Sequence, residues 1–220
     1  MKAREVALKV INDVTENGAY ANLALNKVLV KADLSDIDRR FVTELVYGTV
    51  KAGNTLDWMI SHYLSRPFSK VHYLIRNILR LGAYQLFFLS KVPASAACNE
   101  TVNLAKKYGH QGTVKFVNAV MRSMSRQPEK IVYPDVEKET ARYLSLKYFY
   151  PQWIVDRWLS RLGYESCQKL LEVSNGTPHL CFRTNTLKTD RESLLALLKS
   201  EGVVCHSSSL VPEGIICTAV

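Results

Sequence analysis

The sequence predicts a mostly α-helical protein: a helical bundle, then a helical linker, then a partial α/β unit of β-α-β type. Three observations carry that prediction. Apolar residues recur at helical spacing through the first 130 positions, punctuated by turn residues. Two proline-containing breaks follow, at Gln127-Pro128 and Tyr133-Pro134. From His179 the texture changes to HLCFRTN, with apolar positions alternating at Leu180 and Phe182.

Taken in order, Val6, Ala7, Val10, Ile11 and Val14 share one face of a first helix, and Leu23–Val30 repeats the pattern after an Asn17-Gly18 turn. Ser35 with Asp38 forms a capping-box-like start for a helix to about Val50, with Gly48 and Gly53 marking its end. Asn54 is the expected cap of a helix through Leu64, and Pro67 breaks the chain. A long helix is expected from about Ser69 to Leu89, another from after Pro93 to Lys107, and a seventh over Val114–Met124. Seven helices with short connections describe a bundle over residues 1–130. Short helices near 135–146, 151–162 and 165–174 make up a linker over residues 131–178. Residues 179–220 then read as strand, helix and strand, the helix opened by Thr189 and Glu192 and followed by strands at Val203–Ser207 and Gly214–Val220. So few elements cannot cover both faces of a sheet, and the chain stops on an apolar run, so more chain is expected in a parent protein.

Composition excludes several classes. The hydrophobic fraction of 47% and charged fraction of 22% are those of a globular chain. No apolar run approaches the ~18 residues that suggest a membrane span, and Lys2, Arg4, Glu5 and Lys9 interrupt any signal-peptide pattern. The cysteines, Cys98, Cys167, Cys181, Cys205 and Cys217, include no CxxC pair; they fit a cytoplasmic location, no metal site and buried structural roles.

Charge is distributed unevenly. Residues 1–130 hold 19 Lys+Arg against 10 Asp+Glu, whereas residues 131–220 hold 10 of each. The whole net charge of +9 therefore sits in the helical part, which points to a polyanion partner or, more plainly, to a solvated basic surface. No catalytic constellation accompanies it. No two glycines are separated by one residue, and GxxxxGK[ST] and HExxH are absent.

Several segments resemble a known family when taken together in this order. They are Arg4–Ala7, Asp38–Phe41 leading to Glu44–Gly48, LRLGAYQLFFLSKVP at Leu79–Pro93, CNETV at Cys98–Val102, KFVNAVMR at Lys115–Arg122, YPQWIV at Tyr150–Val155 and FRTN at Phe182–Asn185. They resemble the ribosomal RNA small subunit methyltransferase B family, of the Fmu or Sun type. The first 130 residues also resemble the NusB fold, a seven-helix RNA-binding module that stands alone in a transcription antitermination factor. The continuation past residue 130 favours the methyltransferase over a free-standing antitermination module.

The resemblance implies an RNA-binding front part of an enzyme that methylates carbon 5 of a cytosine in 16S ribosomal RNA, using S-adenosylmethionine. The family's cofactor loop resembles CAAPGGK, and its two cysteines lie in Pro-Cys and Thr-Cys contexts. None of these occurs here, and Cys217 followed by Thr218 has the reverse order. No catalytic or cofactor residue is therefore carried over; the cofactor is expected in the parent protein, not in these 220 residues. A monomer, without metal or membrane, is expected.

The basic residues picked out for RNA are Arg4, Arg39, Arg40, Lys51, Lys106, Lys107, Lys115, Arg122, Arg126 and Arg183, with Lys2 beside them. Arg183 and Asn185 alternate with Phe182 and so share an expected strand face. Arg80 lies on an apolar helix, and Glu100 in the next helix is its expected structural partner. Arg76, four residues earlier, is left open between RNA contact and structure. Asn118, between Val117 and Val120, is expected to be a buried amide. The aromatic run Tyr143, Tyr148, Phe149, Tyr150, Trp153 and Trp158 is expected to form a seam between domains.

Overall fold

The computed structural model describes residues 3–176 and 178–219, with the side chain of Ala219 outside the description. Lys2 and Val220 lie outside the described residues. Among the described residues seven α-helices fill the first part: α1 (Ala3–Asn17), α2 (Ala21–Lys31), α3 (Asp36–Lys51), α4 (Gly53–Ser61), α5 (Tyr73–Phe88), α6 (Ala94–Tyr108) and α7 (Gln111–Arg126). After a 3-10 turn at Pro128–Lys130 come α8 (Thr140–Tyr148) and α9 (Gln152–Asn175). Then follow β1 (Leu180–Arg183), α10 (Arg191–Ser200), β2 (Val204–Ser207) and β3 (Gly214–Ala219). The chain divides into two compact units, Met1–Leu171 and Glu172–Val220.

In the first unit α5 is the axis. Ile75, Ile78, Leu79, Leu81 and Ala83 are buried around most of its circumference, which is why the sequence reads apolar on nearly every face there. Its core continues into Val6, Val10 and Ile11 of α1, Val42, Leu45 and Val46 of α3, and Val117, Met121 and Met124 of α7. The helix begins at Tyr73 rather than Ser69, because Phe68–Lys70 winds as a 3-10 turn and Val71 is extended.

Local signals settle the helix ends. Ser35 Oγ accepts from the Asp38 N–H at 3.2 Å and donates to Asp38 Oδ2 at 2.9 Å, which starts α3. Gly48, read as a helix end, lies inside α3. A Cβ there would overlap the ring of Tyr84, so the glycine lets α3 and α5 approach closely. The Tyr84 hydroxyl continues past it to Glu44 Oε1 at 2.6 Å; burial and that carboxylate push the phenol well above its usual value. Asn54 is not the cap of α4: the helix begins at Gly53 behind Ala52 and has no side-chain cap.

α8 is tied down by Thr55 Oγ1, which donates to the Leu146 carbonyl at 2.8 Å. α8 and α9 build a small core of Leu144, Tyr148, Val155, Cys167 and Leu171, with Tyr143, Tyr150 and Trp158 against it. The two helices expected at 151–162 and 165–174 run on as α9 with a break at Gly163 (φ 74°, ψ 176°).

In the second unit β3 lies between β1 and β2, giving sheet order β1-β3-β2 with both pairings antiparallel. Leu195, Cys205, Ile215 and Cys217 form its core. α10 is capped by Asp190, one residue after the expected Thr189: Asp190 Oδ1 accepts from the Ser193 N–H at 2.8 Å and Oδ2 from its hydroxyl at 2.7 Å. Those hydrogen bonds hold the Asp190 carboxyl below its usual value.

Leu180 faces Cys217 and Phe182 faces Ile215 across the ladder, so both point to the α10 side. They remain 49% and 42% exposed, because α10 lies against β2 and β3.

Candidate nucleic-acid interface

Helix spacing brings basic and amide side chains together between α6 and α7. On α6, Asn99, Asn103 and Lys106 are four and three residues apart; on α7, Lys115, Asn118 and Arg122 are three and four apart. Each set therefore forms one stripe. With Val102 and Val114 the two stripes line an open groove of about 530 Å³. Lys106, Lys115 and Arg122 are exposed, and none is in an ion pair among the described residues. Asn103 donates to Glu100 Oε1 at 3.2 Å.

Asn118 is not the buried amide expected from its flanking valines. It is half-buried and faces the groove, because Val117 and Val120 fall on the other side of α7 and supply the core contact. Three cations and three amides beside an apolar floor suit phosphates and base edges. Also between α6 and α7, Cys98 Sγ donates to the Met121 carbonyl at 3.6 Å; burial pushes this thiol up, against the opposing pull of Ser125 and Arg122.

Other basic candidates are used inside the protein. Arg4 Nε donates to Gln85 Oε1 at 2.6 Å, and its guanidinium sits 5.0 Å over the Phe41 ring. Burial pulls Arg4 below its usual value, and nearby Glu100 opposes that. Arg39 Nη1 donates to the Leu29 carbonyl at 2.9 Å, which closes the end of α2. Lys107 Nζ donates to Glu5 Oε2 at 2.9 Å, and that hydrogen bond raises its pKa. Arg40, Lys51 and Arg126 are exposed and in no ion pair among the described residues.

The expected Arg80–Glu100 pair is corrected. Arg80 Nε and Nη2 donate to Asp57 Oδ1 and Oδ2, each at 2.6 Å, and Nη1 donates to Asn77 Oδ1 at 2.8 Å. Nearness in sequence suggested Glu100. The bundle instead brings α4 beside this face of α5, and Glu100 lies by Arg4 and Asn103. The Arg80 side chain is partly buried, 14% exposed.

In the second unit Arg183 is exposed on β1, opposite Gly214. Asn185 does not share its strand face, because β1 ends at Arg183; Asn185 Oδ1 instead accepts from the Leu187 N–H at 3.1 Å in a turn. Among the cysteines, Cys167, Cys205 and Cys217 are buried, Cys98 is half-buried, and Cys181 is exposed on β1, against expectation. The aromatic run divides. Tyr148, Tyr150 and Trp158 serve the α8–α9 core, Phe149 meets Phe88 edge-to-face at 5.2 Å, and Trp153 is 64% exposed. Asn99 and Asn103 were missed by sequence reasoning; their spacing with Lys106 was the available signal. No described helix is long and apolar enough to cross a membrane.

Comparison with known proteins bears on what this groove belongs to. The NusB family model matches residues 1–126, and the model described as "Methyltr_RsmF/B-like, ferredoxin-like domain" matches residues 150–219. Among curated relatives, a probable ribosomal RNA small subunit methyltransferase B of Bacillus subtilis is 34% identical over 212 residues, covering 96% of this chain and 47% of its own. A second, from Synechocystis, is 34% identical over 215 residues, covering 98% of this chain and 48% of its own. The chain thus spans about half the length of the curated relatives it matches.

Among solved structures, the crystal structure of PH0851 superposes over 100% of this chain and 49% of its own, with TM-score 0.65 at 18% identity. T. maritima NusB covers 59% of this chain and 98% of its own, with TM-score 0.53 at 23% identity. A third match, with TM-score 0.52 at 26% identity, covers 56% of this chain and 93% of its own; it comes from a complex of the antitermination factors NusB and NusE with double-stranded RNA. The chain belongs to the NusB family through residues 1–126, and it continues over residues 150–219 into the ferredoxin-like domain of the RsmF/B-like methyltransferases.

Proposed function

We propose that this chain is the RNA-positioning front half of a methyltransferase that acts on carbon 5 of a cytosine in 16S ribosomal RNA with S-adenosylmethionine. The observation that carries the reading is the α6–α7 groove, where Lys106, Lys115 and Arg122 converge and are in no ion pair among the described residues. Phosphate contacts of that kind fix the register of an RNA without reading its sequence. Residues 1–130 would bind RNA, 131–178 would link, and 179–220 would open the small α/β domain that precedes the catalytic one. The match over residues 150–219 supports an enzyme parent rather than a free-standing antitermination module.

S-adenosylmethionine supplies an electrophilic methyl group when bound, and the described residues do not fit it. Their sheet is three-stranded and antiparallel; Gly202 faces open space, while Gly214 packs on Ser208 and Val211, so neither opens a cradle for a nucleotide. The part left to this chain is to bind and orient the substrate RNA, as a cytoplasmic monomer.

The test is titration of 16S ribosomal RNA fragments against the 220-residue chain at two salt concentrations. Binding should weaken with salt by about 0.7 in log K per neutralised phosphate for each tenfold rise. Salt-independent binding, or an unchanged affinity when Lys106, Lys115 and Arg122 are all replaced by Gln, would sink this reading. Calorimetry with S-adenosylmethionine should give no saturable heat; clear binding would mean that the cofactor site is misplaced.

A further inference from the structure

Two arginines four residues apart on α5 are employed differently. Arg80 has its Nε and both terminal nitrogens committed to Asp57 and Asn77. Asn77 in turn donates to Asn12 Oδ1 at 2.7 Å and Thr15 Oγ1 at 2.8 Å, so that network is closed. Arg76 lies one turn earlier. Its Nη2 approaches Glu16 only at 4.0 Å, and its Nε is buried with no hydrogen-bond partner among the described residues. A guanidinium nitrogen removed from water and left unpaired is costly, which makes the site unusual within this unit.

Arg76 opens on a cavity of about 420 Å³ walled by Thr15, Lys51, Asn54, Phe149 and Pro151. Lys51 is exposed and in no ion pair among the described residues. Glu16 is the single carboxylate among the lining residues. Phe149 holds its wall from a left-handed backbone conformation (φ 63°), a strained choice for a bulky residue.

We propose that this cavity is a phosphate-binding pocket, with Arg76 as the fork and Lys51 as the second positive charge. The Nη1–Nη2 edge of Arg76 is the part left accessible, since Nε is closed to solvent; it offers two N–H donors to the oxygens of a tetrahedral anion, and Lys adds a point charge beside it. The phosphate comes either from the backbone of a bound RNA, an arm that rests on the function proposed above, or from a free phosphate ion, an arm that does not.

The test follows the Arg76 Nε–H resonance by nitrogen-15 NMR in the full 220-residue chain, assigned by its loss in Arg76→Gln. Inorganic phosphate at constant ionic strength should move it saturably, and Lys51→Gln, an exposed change that spares the core, should weaken that response. No shift with either phosphate or RNA overturns the pocket. The sources separate next. If RNA supplies the phosphate, Arg76→Gln and Lys51→Gln each weaken RNA binding about tenfold and lower the salt slope by about 0.7. If the resonance answers inorganic phosphate while RNA affinity is unchanged in both variants, the pocket stands and serves a free phosphate. Wild-type chain that binds phosphate but no RNA would overturn the function proposed above and leave the pocket intact. RNA binding abolished with the groove cations but indifferent to Arg76 and Lys51, with no phosphate shift, would do the reverse.

Discussion

The cations of the α1–α3–α5 layer and those of the α6–α7 groove carry the same formal charge and do different things. Arg4, Arg39 and Arg80 point their donors at Gln85, the Leu29 carbonyl and Asp57. Lys106, Lys115 and Arg122 are in no ion pair among the described residues and line an open groove. A count of positive charge in a sequence therefore measures two quantities at once, the charge that holds helices together and the charge left over for a partner.

Mutations can break or sharpen that contrast. The largest effect is expected at Arg80. Arg80→Ala strands Asp57 and leaves Asn77 short of a donor, and should cost about 3 kcal/mol of stability, at the low end for buried pairs because Asp57 keeps some exposure. Urea denaturation would measure it; a loss under 1 kcal/mol would remove Arg80 from the structural group. Gly48→Ala comes next, at about 2 kcal/mol, because the new Cβ meets the Tyr84 ring. The melting temperature should fall, and Tyr84→Phe in the same chain should not rescue it, since the clash involves the ring as well as the hydroxyl.

Replacing Lys106, Lys115 and Arg122 together by Gln should do the opposite. Stability should stay within about 0.5 kcal/mol, while the salt slope of RNA binding should drop by about 2, or about 0.7 for each phosphate no longer neutralised. If this variant unfolds more easily than Gly48→Ala, the division between structural and available charge is wrong. Arg4→Gln is intermediate, at about 1 kcal/mol for the missing hydrogen bond to Gln85. Ser35→Ala should cost about 1 kcal/mol through the α3 cap alone and leave RNA affinity untouched.

Helix number and order were legible because burial on one face writes a period into the sequence, as Val6, Val10 and Ile11 illustrate. Ends were legible where a local signal marks them, a capping side chain or a proline such as Pro93 before α6. Ser35 does so, but α7 extends back to Gln111 because His110 accepts from the Gly112 N–H, a cap outside the usual set. Gly48 was misread because the reason for its glycine, the ring of Tyr84, lies on a helix two elements away. The partner of Arg80 was misread for the same reason, since sequence distance does not rank Asp57 against Glu100.

The groove was half legible. Lys106, Lys115 and Arg122 could be picked by type, but nothing local separated them from Arg4 and Lys107, whose partners sit on distant helices. Nor could alternation in the last forty residues reveal that β3 inserts between β1 and β2, because strand order is a property of pairing and not of any one strand.

Gly163 has a consequence for the variation this chain can tolerate. Its backbone, at φ 74° and ψ 176°, lies in a region that residues with a Cβ essentially do not occupy. No neighbouring atom lies within 4 Å of where a Cβ would stand, so the obstacle is the torsion itself and not crowding. Space alone would let any small residue in. The backbone instead reduces the usable alphabet at position 163 to one letter, and a replacement must either bend the chain differently there or straighten α9 and move the small core of Leu144, Val155 and Leu171 that both of its halves help to build.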